Sequence, residues 1–216
     1  MATGTPTRDS HGKHLFWPNR MGRMYLLALE DVLGRSRFHA ILNKASLHSR
    51  IGNLPPDNLD LGWDFREMSA LGQAIDDTYG RRASKGIAVR TGQAWFYREQ
   101  GDFGAALGIG VLAFRLFPLS KKIQMSVTAI ADTFNKTSDQ VVRVEESEKR
   151  FFYHIDSCPE CCNRTSVEPI CNAELGLLQE SLHHATGGGR ISIEEVLCIA
   201  RGDPSCTFVV EKRYFG

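Results

Sequence analysis

The sequence predicts an α+β protein in which a helical N-terminal half packs on a small antiparallel sheet built as hairpin, helix, hairpin. Up to about residue 138 the apolar residues recur every three or four positions, and beyond it they alternate. With 216 residues, 42% of them hydrophobic, the chain can bury a sizeable core without cross-links. We expect one composite domain: a flexible leader over 1–17, a helical part over 18–138 and an α+β part over 139–216.

The helical part is expected to contain several amphipathic helices. The first covers 20–33 and ends at Gly34, and the second covers 36–46 with Ser36 as its N-cap. A proline-containing loop then leads to a helix that Gly80 stops. The other expected helices are two over 84–116, with a break near Gly101, and one marked by Ile123, Val127, Ile130 and Phe134.

Two hairpins and one helix are expected in the α+β part. "QVVRVEESE" and "RFFYHIDS" alternate apolar and polar residues and turn near Glu148 and Lys149. A helix over about 170–186 ends at the glycines of "GGG". "RISIEEVLCIA" and "SCTFVVEK" form the second hairpin across "RGDP".

Charge and hydropathy exclude some classes of partner. With 26 basic and 25 acidic residues the net charge is +1, without the basic excess typical of nucleic-acid binding. The most apolar run, 103–119, contains Arg115 and Pro118 and falls short of a membrane span. The polar N-terminus lacks the apolar segment of a signal peptide. We therefore expect a cytoplasmic protein that neither binds nucleic acid nor spans a membrane.

The six cysteines all follow residue 157, and in a reducing cytoplasm such a cluster favours metal or redox chemistry over disulfides. Cys198 and Cys206 flank a tight turn, and Cys171 begins the helix between the hairpins. Together with Glu195 these thiols suit tetrahedral zinc, although small thiols buried in a β core would give the same pattern. Because residues three apart in a regular strand face opposite sides, Glu195 and Cys198 can share an ion only if the strand is broken between them.

A second thiol group lies in "CPECC". Cys158 and Cys161 form a Cys-x-x-Cys pair with Cys162 beside it, a unit found in zinc sites and in redox dithiols. The following Asn163, Arg164 and Pro169 do not favour the helix that redox pairs normally open. A second metal half-site, a redox pair and thiols without a role all remain open.

The second hairpin resembles the end of the 4-vinyl reductase domain family: Glu-x-x-Cys, then Ala-x-Gly-Asp-Pro, then Cys and x-Phe-Val. This family contains accessory proteins of bacteriochlorophyll synthesis, stand-alone hydrocarbon-binding proteins and sensor domains of phenol-responsive activators. "PNRMGRMYLLALEDVLGRSRFHAILNKASL", "LPPDNLDLGWDF", "AIDDTYG" and "FNKTSDQ" resemble its longer stand-alone members. The resemblance implies an α+β fold related to TRAPP subunits and to haem nitric-oxide-binding domains.

The resemblance also implies a metal site. The sensors hold zinc with a Cys, a Glu-x-x-Cys about two dozen residues later and a further Cys eight residues on. Cys171, Glu195, Cys198 and Cys206 occupy this pattern, with Glu194 as the alternative carboxylate. A zinc ion with four protein ligands is closed and therefore structural.

The expected function is to bind a hydrophobic small molecule, such as a hydrocarbon, an aromatic compound or a tetrapyrrole, as a sensor or carrier. One alternative is an accessory factor or reductase for the vinyl group of a chlorophyll precursor, although no dinucleotide-binding motif is present. Another is a thiol redox or metal sensor. Homodimers are expected from the implied relation to TRAPP subunits. The aromatic residues expected to line the ligand pocket are Trp95, Phe96, Phe103, Phe114 and Phe117.

Overall fold

Helices and two antiparallel sheets make up the part of the chain that the computed structural model describes. These residues are 14–106 and 116–214, with the side chains of 99–106 left out. The order is β1 (Phe16–Pro18), α1 (Asn19–Leu33), α2 (Arg35–Lys44), β2 (Leu61–Asp64), α3 (Phe65–Ala106), α4 (Leu119–Thr137), β3 (Val142–Glu146), β4 (Arg150–Ile155), α5 (Asn172–Ala185), β5 (Ile191–Leu197) and β6 (Cys206–Tyr214). The predicted α+β class and the hairpin–helix–hairpin order are confirmed.

Glycines separate α1 from α2 and bend α3. Gly34, at φ +75°, ends α1 as expected, and its N–H donates to the Glu30 carbonyl at 2.7 Å. The expectation of Ser36 as an N-cap is wrong, because α2 begins directly after Gly34 and Ser36 is already helical. Gly80, at φ +74°, interrupts α3 as predicted. The break expected near Gly101 is also wrong, since α3 continues to residue 106; one glycine costs a helix only about 1 kcal/mol.

A short ribbon of β1 and β2, which the sequence analysis did not predict, closes one end of the helical half. Trp17 pairs with Trp63 across the ribbon, and both side chains are buried. Phe16 and Trp17 thus belong to the fold although they fall within the expected leader. The Trp17 indole N–H donates to the Gln140 side chain at 2.8 Å, so the ribbon is tied to the start of the sheet region.

The second sheet has the strand order β3-β4-β6-β5. Its two hairpins therefore join along β4 and β6, where Tyr153 pairs with Phe208 and both side chains are buried. Alternate residues of these strands face the helices, which explains the alternation in the sequence.

Helix α5 packs against α3 with the two backbones in contact. A Cβ atom added to Gly92 in α3 would overlap the carbonyl oxygen of Ala173, and one added to Gly176 in α5 would overlap that of Val89. Because neither glycine carries a side chain, the helices approach more closely than ordinary ridges and grooves allow. This contact fixes the N-terminal end of α5, where Cys171 is the N-cap residue.

Among the described residues, no helix combines the length and the apolar character that crossing a bilayer requires.

Candidate metal centre and adjoining cavity

Strand β5 ends just before the first cysteine of the second hairpin. Its pairing with β6 shifts register between Glu195 and Leu197, and the strand stops at Leu197. Cys198 follows in an extended conformation just before a short 3-10 turn (Ile199–Arg201), and its N–H donates to the Asp203 carboxylate at 2.8 Å. The strand is therefore broken between Glu195 and Cys198, as a metal site that contains both residues requires. The side chains of both residues face Cys171 and Cys206.

Five buried thiols converge at this point. The Sγ atom of Cys161 lies 3.3 Å from that of Cys171, 3.5 Å from Cys198 and 3.4 Å from Cys206. Cys158 joins the group through Cys171, at 3.4 Å. Cys158 and Cys161 thus belong to the same cluster as the cysteines of the second hairpin and do not form a separate site.

The donor set fits a tetrahedral ion that prefers sulfur. Zn–S bonds of about 2.3 Å place the sulfur atoms of a tetrahedral site about 3.8 Å apart, and the separations here differ from that by a few tenths of an ångström. Three groups of four have all their ligand atoms within 4.8 Å of one another: Cys158, Cys161, Cys171 and Cys206; Cys171, Glu195, Cys198 and Cys206; and Cys161, Cys171, Cys198 and Cys206. Burial disfavours uncompensated thiolates, so a cation is the natural counterpart of this cluster.

Glu195 contacts the cluster but also has a protein partner. Its Oε2 accepts the Cys171 N–H at 2.9 Å, whereas its buried Oε1 has no hydrogen-bond partner in the described structure. Burial, with the neighbouring Cys198 adding to it, raises the pKa of Glu195 to about 10. A nearby cation would lower this pKa. Glu194, the alternative carboxylate, is exposed and belongs to no group of metal-binding side chains among the described residues.

The segment that carries Cys158 and Cys161 is held by Glu160 and Arg164. Glu160 is buried and accepts the backbone N–H groups of Ala173 and Glu174, at 3.0 and 2.9 Å, so it caps the N-terminus of α5. Burial raises its pKa to about 8. Arg164 pairs with Asp76 of α3 at 2.6 Å in a largely buried ion pair. These contacts order a segment that has no regular secondary structure.

Glu174, in the first turn of α5, is buried, and burial raises its pKa to about 7. A carboxyl whose pKa is raised on folding stabilises the protein below its unfolded pKa of about 4.3, and this stability is lost as the pH rises through the folded value. The free energy of unfolding of wild type is thus expected to fall relative to Glu174→Gln between pH 5 and pH 8. At about 1.4 kcal/mol per pKa unit, the change is about 3 kcal/mol at most.

Urea denaturation at several pH values would measure this difference. Glu148→Gln, at an exposed position in the first hairpin, is the matched control and should keep the wild-type pH profile. Parallel profiles for wild type and Glu174→Gln would mean that Glu174 does not change its protonation on folding.

A cavity of about 530 Å³ lies between α3, the cysteine-containing segment and β5. Glu160 and Glu195 line it, so it adjoins the thiol cluster. Apolar side chains form part of its wall: Tyr25, Met68, Ile75, Ala88, Ile170, Leu175 and Ile193. Charged side chains of both signs also contribute: the basic residues Arg81, Lys85, Arg164 and Arg201, and the acidic residues Asp76, Glu160, Glu168, Glu194 and Glu195. A molecule in this cavity would meet both apolar and charged surfaces.

The aromatic pocket predicted from the sequence is described only in part. Trp95 is buried in the core, with ring centroids 5.2 Å from Trp17 and 5.8 Å from Tyr25. Phe96 is also buried, and neither residue lines the 530 Å³ cavity. Phe117 is half-buried. The side chain of Phe103 and all of Phe114 lie outside the described residues.

The sequence analysis did not identify several residues that build the site. Glu160 and Arg164 stand in a segment without periodicity, where only tertiary contacts show their roles. The sequence analysis also did not identify Gly92 and Gly176 as packing residues. The sequence indicates their role only through the presence of glycine inside a helix, which lowers helix stability and so suggests close packing.

Solved structures show that the fold is shared with other proteins. An H-NOX protein from K. algicida in its unliganded Fe(II) state aligns with a TM-score of 0.57 and 14% identity, over 92% of this chain and 100% of that chain. A trafficking protein particle complex subunit 3 from Naegleria fowleri, covalently bound to palmitic acid, aligns with a TM-score of 0.50 and 20% identity, over 68% and 92%. The phenol-responsive sensory domain of the activator PoxR, with phenol, has a TM-score of 0.48 and 16% identity, over 67% and 73%. The first two likenesses confirm the predicted fold relation.

The C-terminal part of the chain matches a known domain family. The model of the 4-vinyl reductase domain covers residues 151–212, from β4 to β6, a segment that contains all six cysteines. The predicted resemblance to this family is thereby confirmed over these residues. No curated protein sequence matches the chain.

Proposed function

We propose that this protein binds a hydrophobic small molecule carrying a polar group, as a sensor or carrier, and that a structural zinc ion supports the binding site. The observation that carries the proposal is the 530 Å³ cavity beside the thiol cluster, since its volume lies within the range of small-molecule sites.

The cavity wall indicates which kind of molecule fits. Met68, Ile75 and Leu175 offer apolar surface for a hydrocarbon or aromatic body. Exposed charged side chains of both signs, among them Arg81, Lys85 and Glu168, could bind a polar group of the ligand. A ligand with an apolar body and a polar group would contact both the apolar and the charged side chains of the wall.

One related structure supports a ligand-binding role. The trafficking subunit is covalently bound to palmitic acid, a molecule with an apolar chain and a carboxyl group. Since the shared feature is the fold, the choice of ligand in this chain rests on its own cavity residues.

Zinc would have a structural role in this proposal. Cys171, Cys198 and Cys206 would be ligands, and the fourth ligand would come from Glu195 or Cys161, which both lie within reach. The ion would join the start of α5 to the second hairpin and would supply rigidity rather than activate water. Through Glu160 and Glu195 that rigidity extends to the cavity wall.

Native mass spectrometry of the purified protein would test the cavity. A bound small molecule is expected in wild type and is expected to be lost in Ala88→Phe, because the added ring fills the cavity. Ala83→Phe is the matched control, since Ala83 is exposed on the same helix and the variant should keep the molecule. Wild type without any bound molecule, or equal retention by Ala88→Phe, would contradict the proposal.

A further inference from the structure

We infer that the metal ion is bound by four thiolates, those of Cys161, Cys171, Cys198 and Cys206, and that Glu195 remains outside the coordination sphere. The inference rests on the structural metal site proposed above and changes its fourth ligand. The sequence pattern assigns that position to Glu195, whereas the structure offers Cys161.

The separations among the sulfur atoms support this set. A tetrahedral ligand must lie at similar distances from all three others, and Cys161 is 3.3–3.5 Å from the other three sulfur atoms. Cys171 is 4.0 Å from Cys198 and 3.4 Å from Cys206. The remaining pair, Cys198 and Cys206, lies within 4.8 Å. A small expansion to about 3.8 Å would accommodate zinc at the centre.

Each of the two competing ligands is grouped with only three of these four thiols. Cys158 belongs with Cys161, Cys171 and Cys206 but not with Cys198 to a group within 4.8 Å, and Glu195 belongs with Cys171, Cys198 and Cys206 but not with Cys161. One of the Glu195 oxygens already accepts the Cys171 N–H. A carboxylate so placed orients the ligand beside it, as outer hydrogen-bond partners commonly do in metal sites.

Nearby dipoles favour the negative charge of a four-thiolate site, which is formally −2 with zinc. Cys171 lies at the N-terminal end of α5, where the helix dipole favours an anion. The Ile199 N–H donates to the Cys206 sulfur at 3.3 Å. Thiolate ligands alone also select zinc over cations that prefer oxygen.

Coordination by Cys161 would connect the ion to the cavity. Cys161 follows Glu160 directly and precedes Arg164 by three residues, and both of those side chains line the cavity. A site without Cys161 would leave this segment attached only through its hydrogen bonds and ion pair.

X-ray absorption at the zinc edge tests the ligand set, with Zn²⁺ as the probe. Wild type is expected to show four sulfur atoms at about 2.3 Å and no oxygen at about 2.0–2.2 Å. Glu195→Gln and Cys158→Ser should give the same spectrum. Cys161→Ser, made in the Cys158→Ser background so that the neighbouring thiol cannot substitute, should lose one sulfur. Competition with a chelator should then show at least about a hundredfold weaker binding, since even outer-sphere changes cost about 10–100-fold.

Each other outcome overturns the inference in a recognisable way. Three sulfur atoms and one oxygen in wild type, with the oxygen altered in Glu195→Gln, would assign the position to Glu195 and leave the structural zinc intact. A changed spectrum in Cys158→Ser would assign it to Cys158. Purified wild type that neither contains nor binds zinc would remove the metal site altogether. Cys162→Ser, in the same segment but in none of these ligand groups, is the control and should match wild type.

Discussion

Cys206→Ser is expected to lose the bound metal and to lower the free energy of unfolding by several kcal/mol. Cys206 lies 3.4 Å from both Cys161 and Cys171, and it belongs to every ligand set that the structure allows. It also begins β6, an inner strand of the second sheet. Structural zinc contributes folding free energy directly, on the order of 10 kcal/mol in small zinc domains, and part of that contribution should disappear here.

Metal analysis and thermal unfolding would measure both effects. Wild type should contain about one zinc per chain and Cys206→Ser far less, with a lower Tm. Chelation should lower the Tm of wild type towards that of the variant and leave the variant unchanged. Cys162→Ser should retain metal and Tm. A Cys206→Ser protein with full metal content and an unchanged Tm would contradict the structural role of the site.

Gly92→Ala is expected to destabilise the protein by about 3 kcal/mol, the upper part of the range for overpacked interiors. In an exposed helix the same change would stabilise by about 1 kcal/mol, because alanine favours the helix. Here the new methyl group would overlap the Ala173 carbonyl oxygen of α5, which is backbone and cannot rotate away. The two helices must separate, and the N-cap residue Cys171 would move with α5.

Denaturant unfolding of a small set of variants would isolate the helix contact. Gly86→Ala is the matched control, since Gly86 is in the same helix and a Cβ atom there meets nothing within 4 Å. It should be neutral or slightly stabilising. Gly176→Ala should resemble Gly92→Ala, and the double variant should cost less than the sum, because one separation of the helices relieves both overlaps. Equal stability of Gly92→Ala and Gly86→Ala would rule out the close approach.

The periodic parts of the structure could be predicted from the sequence, and so could part of the site. Alternation in β4 and β6 reflects burial on one face, and Gly34 and Gly80 occupy backbone conformations that disfavour other residues. The spacing of the second hairpin, with the family resemblance, selected Cys171 and Cys206, which the structure places in contact.

The position of Cys161 in the thiol cluster could not be predicted from periodicity or spacing. It lies in an irregular segment, where neither period fixes the direction of a side chain. Its position depends on Glu160 capping α5 and on Arg164 reaching Asp76, both of which are contacts between distant parts of the chain. The lining of the ligand pocket could not be predicted from the aromatic residues either. A residue such as Trp95 can pack in the core or line a ligand site, and the sequence does not distinguish the two.

The wide separation of the thiols along the chain has a consequence during synthesis. Cys206 is synthesised 45 residues after Cys161. At a synthesis rate of about 5–20 residues per second, the earlier thiols lack Cys206 for a few seconds. An incomplete site leaves thiolates exposed to oxidants, and oxidation beyond the first steps is irreversible. If the cluster binds zinc as proposed, the supply of zinc and reductant during those seconds would affect whether the C-terminal part of a new chain matures or is damaged.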